Sequence, residues 1–285
     1  MTEWAQLRAE HAVLEDEAVL VLDKPAGISV TGERHETDLV RLARDAGEQL
    51  FPVHRIDKVT SGAVLLAKEL RWHGGLTRQF AKQTVAKAYL AITSPGGLPA
   101  AGTIDLPLSV GRKNRVRVAA QRAAIVADET AGRWSVPDAE VFGQVRVYPS
   151  VTAFHTLWQD QGRALLLVWP TTGRRHQIRV HLAWTGHAIV GDPLFATAGA
   201  AATGAGAPDA GAGAAGGGAV GAGAAAGRAY LHSWRLEFDA AWRDGARMRV
   251  EAPPGSGFWA PLGEHGPGWP AGLLASARAR CEERG

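Results

Sequence analysis

Three segments of this chain concentrate groups able to do chemistry beside apolar runs able to hold them still. The first is His54-Arg55-Ile56-Asp57, a carboxylate with an arginine two residues before it. The second runs from Lys87 to Thr93 and carries Tyr89. The third, Gly173 to Leu182, holds Arg174, Arg175, His176, Gln177, Arg179 and His181. An aspartate among guanidinium groups can serve as a nucleophile or a general base. The same residue types also make ordinary surface ion pairs, and a strand tyrosine is often only packing. Residue type alone leaves both readings open. A metal site is not expected. His176 and His181 are spaced so that they do not share a helical face, and no Asp or Glu in the segment completes a ligand set.

The elements that must position these groups can be read from periodicity. Glu17 to Leu22 is a buried strand closed by the turn-prone Asp23-Lys24-Pro25-Ala26-Gly27, and Gly62 to Ala67 is a second apolar strand. Trp72, Leu76 and Phe80 recur at helical spacing. Lys87 to Thr93 alternates, with Ala88, Leu90 and Ile92 on one side, so Tyr89 faces away from the most apolar side. Ala164 to Trp169 is a further core strand. A helix is expected from Arg174 to Trp184, entered through Thr171-Thr172-Gly173 and ended by Gly186. That helix would put Ile178 and Leu182 on one face and Arg175 and Arg179 on another. Strands and helices do not alternate regularly, which favours an α+β fold over a doubly wound α/β one.

The bulk numbers bound the answer. A chain of 285 residues, 46% hydrophobic and 21% charged, can bury a large core. No stretch approaches the roughly 20 apolar residues of a spanning helix, and the N-terminus does not read as a signal peptide. The lone cysteine, Cys281, makes no internal disulfide and fits a reducing cytoplasm. A formal net charge of +3 says little by itself. Within Gly111 to Arg122, however, Arg112, Lys113, Arg115, Arg117 and Arg122 occur with no acidic residue, enough to neutralise several phosphates or to form a plain solvated face. Ala198 to Gly227 is almost wholly alanine and glycine, and is expected to be a flexible insertion, because so much glycine cannot offset its own conformational entropy.

The order of motifs resembles a known family. His54-Arg55-Ile56-Asp57-Lys58-Val59-Thr60-Ser61-Gly62 is similar to the signature of the RluA family of pseudouridine synthases. Gly173 to Leu182 resembles that family's third motif, and Gly191-Asp192-Pro193-Leu194-Phe195 the block after it. Asp23 to Gly27, Lys87 to Ala91 and Leu231 to Phe238 also stand in family order. The likeness spans about residues 15 to 260. Departures are small: Ile56 replaces a leucine, and Arg175 stands where threonine or serine is common.

The resemblance implies the pseudouridine synthase fold, a mixed and mostly antiparallel β-sheet flanked by helices and loops. It implies an isomerase acting on RNA, ribosomal RNA slightly ahead of transfer RNA, with no cofactor and no metal. Asp57 would be the catalytic carboxylate, attacking ribose C1′ or acting as the base that drives elimination; the sequence does not choose between them. Arg179 would pair with Asp57 through its guanidinium fork. Tyr89 would stack on the base or help move its C5 proton, and Arg55 would fill the gap left by the flipped uridine. Lys24, Arg174, Gln177, Arg112, Lys113, Arg115 and Arg117 are expected RNA contacts. A non-catalytic RNA-binding factor, or a hydrolase needing a second carboxylate, are the competing classes. The expected layout is an N-terminal extension over 1–14, a catalytic domain over 15–260 with the Ala/Gly insertion at 198–227, and a tail over 261–285. No S4-type RNA-binding domain is visible, so recognition is expected to rest on the catalytic domain of a cytoplasmic protein, with monomer as the default.

Overall fold

The computed structural model describes residues 3–32, 38–111, 115–196, 228–266 and 268–284. Arg112, Lys113 and the Ala/Gly tract therefore lie outside the described residues. Strands, in chain order, are β1 (Ala12–Glu15), β2 (Val19–Lys24), β3 (Phe51–Pro52), β4 (Ser61–Ala67), β5 (Ala86–Ser94), β6 (Ala101–Asp105), β7 (Leu108–Val110) and β8 (Val116–Val118). They continue with β9 (Val126–Asp128), β10 (Arg133–Ser135), β11 (Val147–Tyr148), β12 (Val151–Gln159), β13 (Ala164–Pro170), β14 (Ala188–Ile189), β15 (Leu231–Ala240) and β16 (Ala246–Glu251). The helices are α1 (Glu3–His11), α2 (Leu39–Asp45), α3 (Leu70–Ala81), α4 (Gln177–Trp184) and α5 (Trp269–Arg284).

One large mixed sheet runs in the order β1-β2-β4-β15-β5-β13-β12-β6-β10-β9, and β7, β8 and β11 form a small separate sheet. Among the described strands, pairings are antiparallel except β4 with β15 and β6 with β10. The α+β expectation is met, and none of the described helices is long and apolar enough to cross a membrane.

Alternation in β2 shows how the sequence builds two layers at once. Val19 and Val21 enter one apolar cluster with Leu65, Leu76 and Phe238, beneath α3. Leu20 and Leu22 enter another with Trp4, Leu39, Val64 and Leu66, beneath α1 and α2. A strand covered on both faces needs apolar residues at every position, which is what this segment has. Full burial of each such side chain contributes roughly 1.5–3 kcal/mol. Trp4, in the expected N-terminal extension, and Leu273 and Ala277, in the expected tail, are buried too.

Helix α3 and strand β13 fall where periodicity places them. The fourth helix does not. It begins at Gln177 rather than Arg174, because His176 adopts a left-handed conformation, φ 55°, that breaks the helical path. Arg175 consequently sits on the preceding turn and shares no helical face with Arg179. Gln177 stabilises that turn, its side-chain carbonyl accepting from the Arg174 backbone N–H at 3.0 Å. At the other end Gly186, φ +92°, follows the helix as expected.

Candidate active site

Asp57 stands where a core-anchored segment reverses into β4. Upstream, Val53 and Ile56 are buried, and the Val53 N–H bonds the Leu65 carbonyl at 3.2 Å. The His54 ring stacks on Phe80 at 4.5 Å, and its Nε2 accepts from the Leu65 N–H at 3.0 Å. Burial, with Lys87 nearby, pulls this imidazole down to about 3, so it stays neutral and can accept. The Thr60 N–H then closes the turn onto the Asp57 carbonyl at 3.0 Å. Both flanks being pinned, the backbone that carries the carboxylate is fixed in place.

From below, the turn is held by Lys24. Its side chain is 0% exposed, with Nζ donating to the carbonyls of Pro25 at 2.7 Å and Ile28 at 2.8 Å. The Gly27 N–H reaches the Lys58 carbonyl at 2.7 Å, completing the junction. Burial lowers this ammonium to about 7, outweighing the opposing charges of Asp57 and Asp23. Lys24, expected at the RNA, has its donors turned to carbonyls inside the protein.

Helix α4 brings Arg179 to the carboxylate. The side chain is 2% exposed and donates from Nη1 to Asp57 Oδ2 at 2.7 Å. Its fork is spent elsewhere. Nε and Nη2 grip Asp192 at 2.6 and 2.8 Å, so Asp57 receives one bond rather than the expected pair. Asp192 Oδ1 is itself fixed by the N–H groups of Leu194 and Phe195 at 2.8 and 3.1 Å. Burial disfavours the guanidinium charge, yet the two carboxylates win and Arg179 is raised above its ordinary value. Asp57, at 20% side-chain exposure, keeps access to a ligand.

That access is to a cavity of about 550 Å³, lined by His54, Asp57, Thr60, Lys87, Tyr89, Arg174 and Arg179 among others. A second hollow of about 310 Å³ meets Asp57 from the side of Arg55, His176 and Leu194. Tyr89 lies in β5 between Ser233 of β15 and Val168 of β13. Burial pushes its hydroxyl up to about 12; the Asp57 charge adds to the rise and the Ser233 side chain opposes it. The phenol therefore stays protonated at neutral pH.

Other expected contacts divide. Arg55 and Arg174 are exposed at the cavity wall. Gln177 also borders the cavity but is 3% exposed, and its amide donates to the Val151 carbonyl at 2.9 Å and Thr152 Oγ1 at 3.1 Å. With its oxygen taken by Thr172 and Arg174, its polar atoms are engaged inside the protein, where they shape the turn. Arg115 and Arg117 are exposed on and beside β8, outside the cavity lining.

Two participants escaped sequence reasoning. His176 Nε2 is 3.6 Å from Asp57 Oδ1; burial lowers its pKa, Asp57 pulling the other way against Arg179 and Arg175. Asp192 was legible only as part of a motif block. Nothing in the sequence tied it to Arg179.

Residues 18–184 match the family described as RNA pseudouridylate synthase, more than half of the chain. The chain is 30% identical over 193 residues to a tRNA pseudouridine(31) synthase of Saccharomyces cerevisiae, covering 66% of this chain and 46% of that protein. It is 35% identical over 207 residues to a ribosomal large subunit pseudouridine synthase D of Pseudomonas aeruginosa, covering 68% of this chain and 56% of that protein. The chain thus spans about half the length of these two curated relatives. The solved structure of human RNA pseudouridylate synthase domain containing 4 shares the fold, with a TM-score of 0.63 at 22% identity over 91% of this chain and 94% of that one.

Proposed function

The chain belongs to the RNA pseudouridylate synthase family, and from that premise we propose that it converts selected uridines of structured RNA to pseudouridine at Asp57. The observation that carries the reading is an aspartate carboxylate in the wall of a cavity of about 550 Å³, pinned by a buried arginine and sharing that wall with a half-buried tyrosine, Tyr89. A paired uridine cannot reach such a carboxylate inside its helix, so the base is turned out of the stack and into the cavity. Exposed Arg55 takes up the space it leaves.

The reaction breaks the bond from uracil N1 to ribose C1′ and makes one from C5 to C1′. N1 gains a proton and C5 loses one, so nothing is oxidised and no water is consumed. Asp57 either attacks C1′ as a nucleophile, displacing uracil, or serves as the base that takes the neighbouring C2′ proton in an elimination. Arg179 holds it in line through its hydrogen bond to Oδ2, and Tyr89 supplies a ring against which the freed base can rotate. The other carboxylate on Arg179, Asp192, is buried with both oxygens engaged. It offers no second acid or base of the kind a glycoside hydrolase needs. The relatives named above act, by their names, on transfer and on ribosomal RNA; we place ribosomal RNA slightly first. The catalytic unit is proposed to span 15–260, working as a monomer in the cytoplasm.

Pseudouridine mapping of total RNA from cells with and without the gene is the direct test, with loss of at least one site expected. Asp57→Asn, nearly isosteric, should fold normally and restore none of them. Restoration by that variant would remove Asp57 from its role.

A further inference from the structure

We propose that Tyr148, Arg146 and Arg174 form a clamp for RNA backbone phosphate at the mouth of the cavity. The inference rests on the RNA reading above but concerns residues outside the catalytic cluster. Tyr148 ends β11, the edge strand of the small sheet, and pairs with Leu108 of β7. Arg146 lies two residues earlier, on the same side of the chain, with its guanidinium carbon 5.0 Å from the Tyr148 ring centre. Arg174 arrives from the turn before α4 and stands 5.5 Å from the same ring. One aromatic ring thus gathers two cations from separate segments.

The platform is rigid. Ser150 Oγ donates to the Tyr148 carbonyl at 2.9 Å. The next residue, Val151, accepts from the Thr171 N–H at 3.0 Å and from Gln177 Nε2 at 2.9 Å, while Gln177 holds the Arg174 backbone. The ring and the turn that lines the cavity are therefore parts of one hydrogen-bonded unit, which also explains why Gln177 is used up internally.

Neither Arg146 nor Arg174 has an ion pair among the described residues, and both are exposed. Elsewhere arginines are neutralised: Arg247 reaches Glu237 and Asp239, Arg249 reaches Glu237, and Arg278 reaches Glu251. Two guanidinium groups gathered without a counter-ion repel each other, and the ring quadrupole offsets part of that cost. With their guanidinium carbons over the ring and no carboxylate on either, both groups have N–H donors to offer a phosphate, which an arginine can grip in bidentate fashion. A uridine entering the cavity brings the phosphates flanking it to this rim.

The test uses radiolabelled total RNA from cells lacking the gene, with filter binding across a salt series and pseudouridine formation measured on the same preparation. Arg146→Gln and Arg174→Gln should each flatten the slope of log affinity against log salt by about 0.7. Tyr148→Leu keeps both charges and the bulk but lets the arginines go, and should bind about fivefold more weakly, the scale of two exposed cation–π contacts. Tyr148→Phe keeps the ring and should restore affinity; matched thermal unfolding excludes a folding defect. Unchanged affinity in Tyr148→Leu, or unchanged slopes in the glutamine variants, would overturn the clamp. If the slopes shift but the unaltered protein forms no pseudouridine, the catalytic reading fails while the clamp stands. If pseudouridine forms and nothing shifts, the clamp alone fails.

Discussion

A single guanidinium, Arg179, holds the Asp57 carboxylate and is itself held by Asp192. Two carboxylates on one buried cation leave a net negative charge in a low-dielectric setting, so removing the cation leaves Asp192 buried and unpaired, a cost of about 3–5 kcal/mol. Arg179→Met is therefore a poor probe of chemistry, because it unsettles the fold. Asp192→Asn is the sharper one. It keeps one acceptor oxygen yet loses a charge-assisted bond of the grip, freeing Arg179 to drift from Asp57. Single-turnover rates should fall by about 10²-fold or more while RNA affinity changes less than twofold, following the sensitivity of catalysis to small misplacements. A rate within threefold of the unaltered protein would show that Asp192 is only structural.

At the scale of elements, the site exists because β4 and β15 run parallel and nearly touch. Gly62 opposes Ser233 with φ +108°, and a Cβ there would collide with the Ser233 backbone. Thr60 and Ser61 lead into this contact, so the Asp57 turn is hung directly on it. Gly62→Ala combines a clash with a disfavoured left-handed conformation. It should cost about 3 kcal/mol or more, read as a lower urea midpoint, with activity lost alongside stability. A midpoint equal to that of the unaltered protein would mean the strands separate more easily than their packing suggests. The small β7-β8-β11 sheet is the second element that matters, since it carries Tyr148 to the side of Arg174, which lines the cavity.

Across the molecule, His181 and His232 are buried and His54 is half-buried with its ring stacked on Phe80, and all three serve as neutral hydrogen-bonding parts. His181 joins α4 to Thr152 and to the Leu106 carbonyl, at 2.9 Å each, and His232 joins Ser61 to the Ala252 carbonyl, at 2.8 and 2.7 Å. Burial lowers both to about 4, and His54 to about 3, from an ordinary 6.5. Between those limits the unfolded chain binds protons that the folded one refuses, so stability falls as pH drops. The stabilisation is complete above pH 6.5 and declines from there to about pH 4, a window set by the values just given. With three such groups the slope near pH 5 should approach about 4 kcal/mol per pH unit. Lowered acids such as Glu15, Asp16 and Glu237 act in the same direction, but below their ordinary 3.8 to 4.5. Unfolding in denaturant from pH 7 to 5 isolates the histidine window, and a flat profile there would contradict buried neutral rings.

What the sequence by itself determined is what short-range pattern can carry. Periodicity located β2, β4, α3, β5 and β13, because burial imposes periods of two and 3.6 on neighbouring residues. Motif order located Asp57, Tyr89 and Arg179, and the structure brings all three to one cavity. What only the tertiary structure decided is where polar side chains spend their hydrogen bonds. Lys24 and Gln177 have the chemistry of RNA contacts, yet the Lys24 ammonium is folded back on the carbonyls of Pro25 and Ile28, and the Gln177 amide is taken by Val151 and Thr152, well before it in the chain. Arg179 looked free to fork onto Asp57 until Asp192 claimed the fork. His176 turned the start of α4 by three residues through a backbone angle that no pattern predicts. A side chain's type fixes what it can bond, but the partner within reach is set by contacts between segments that only folding brings together.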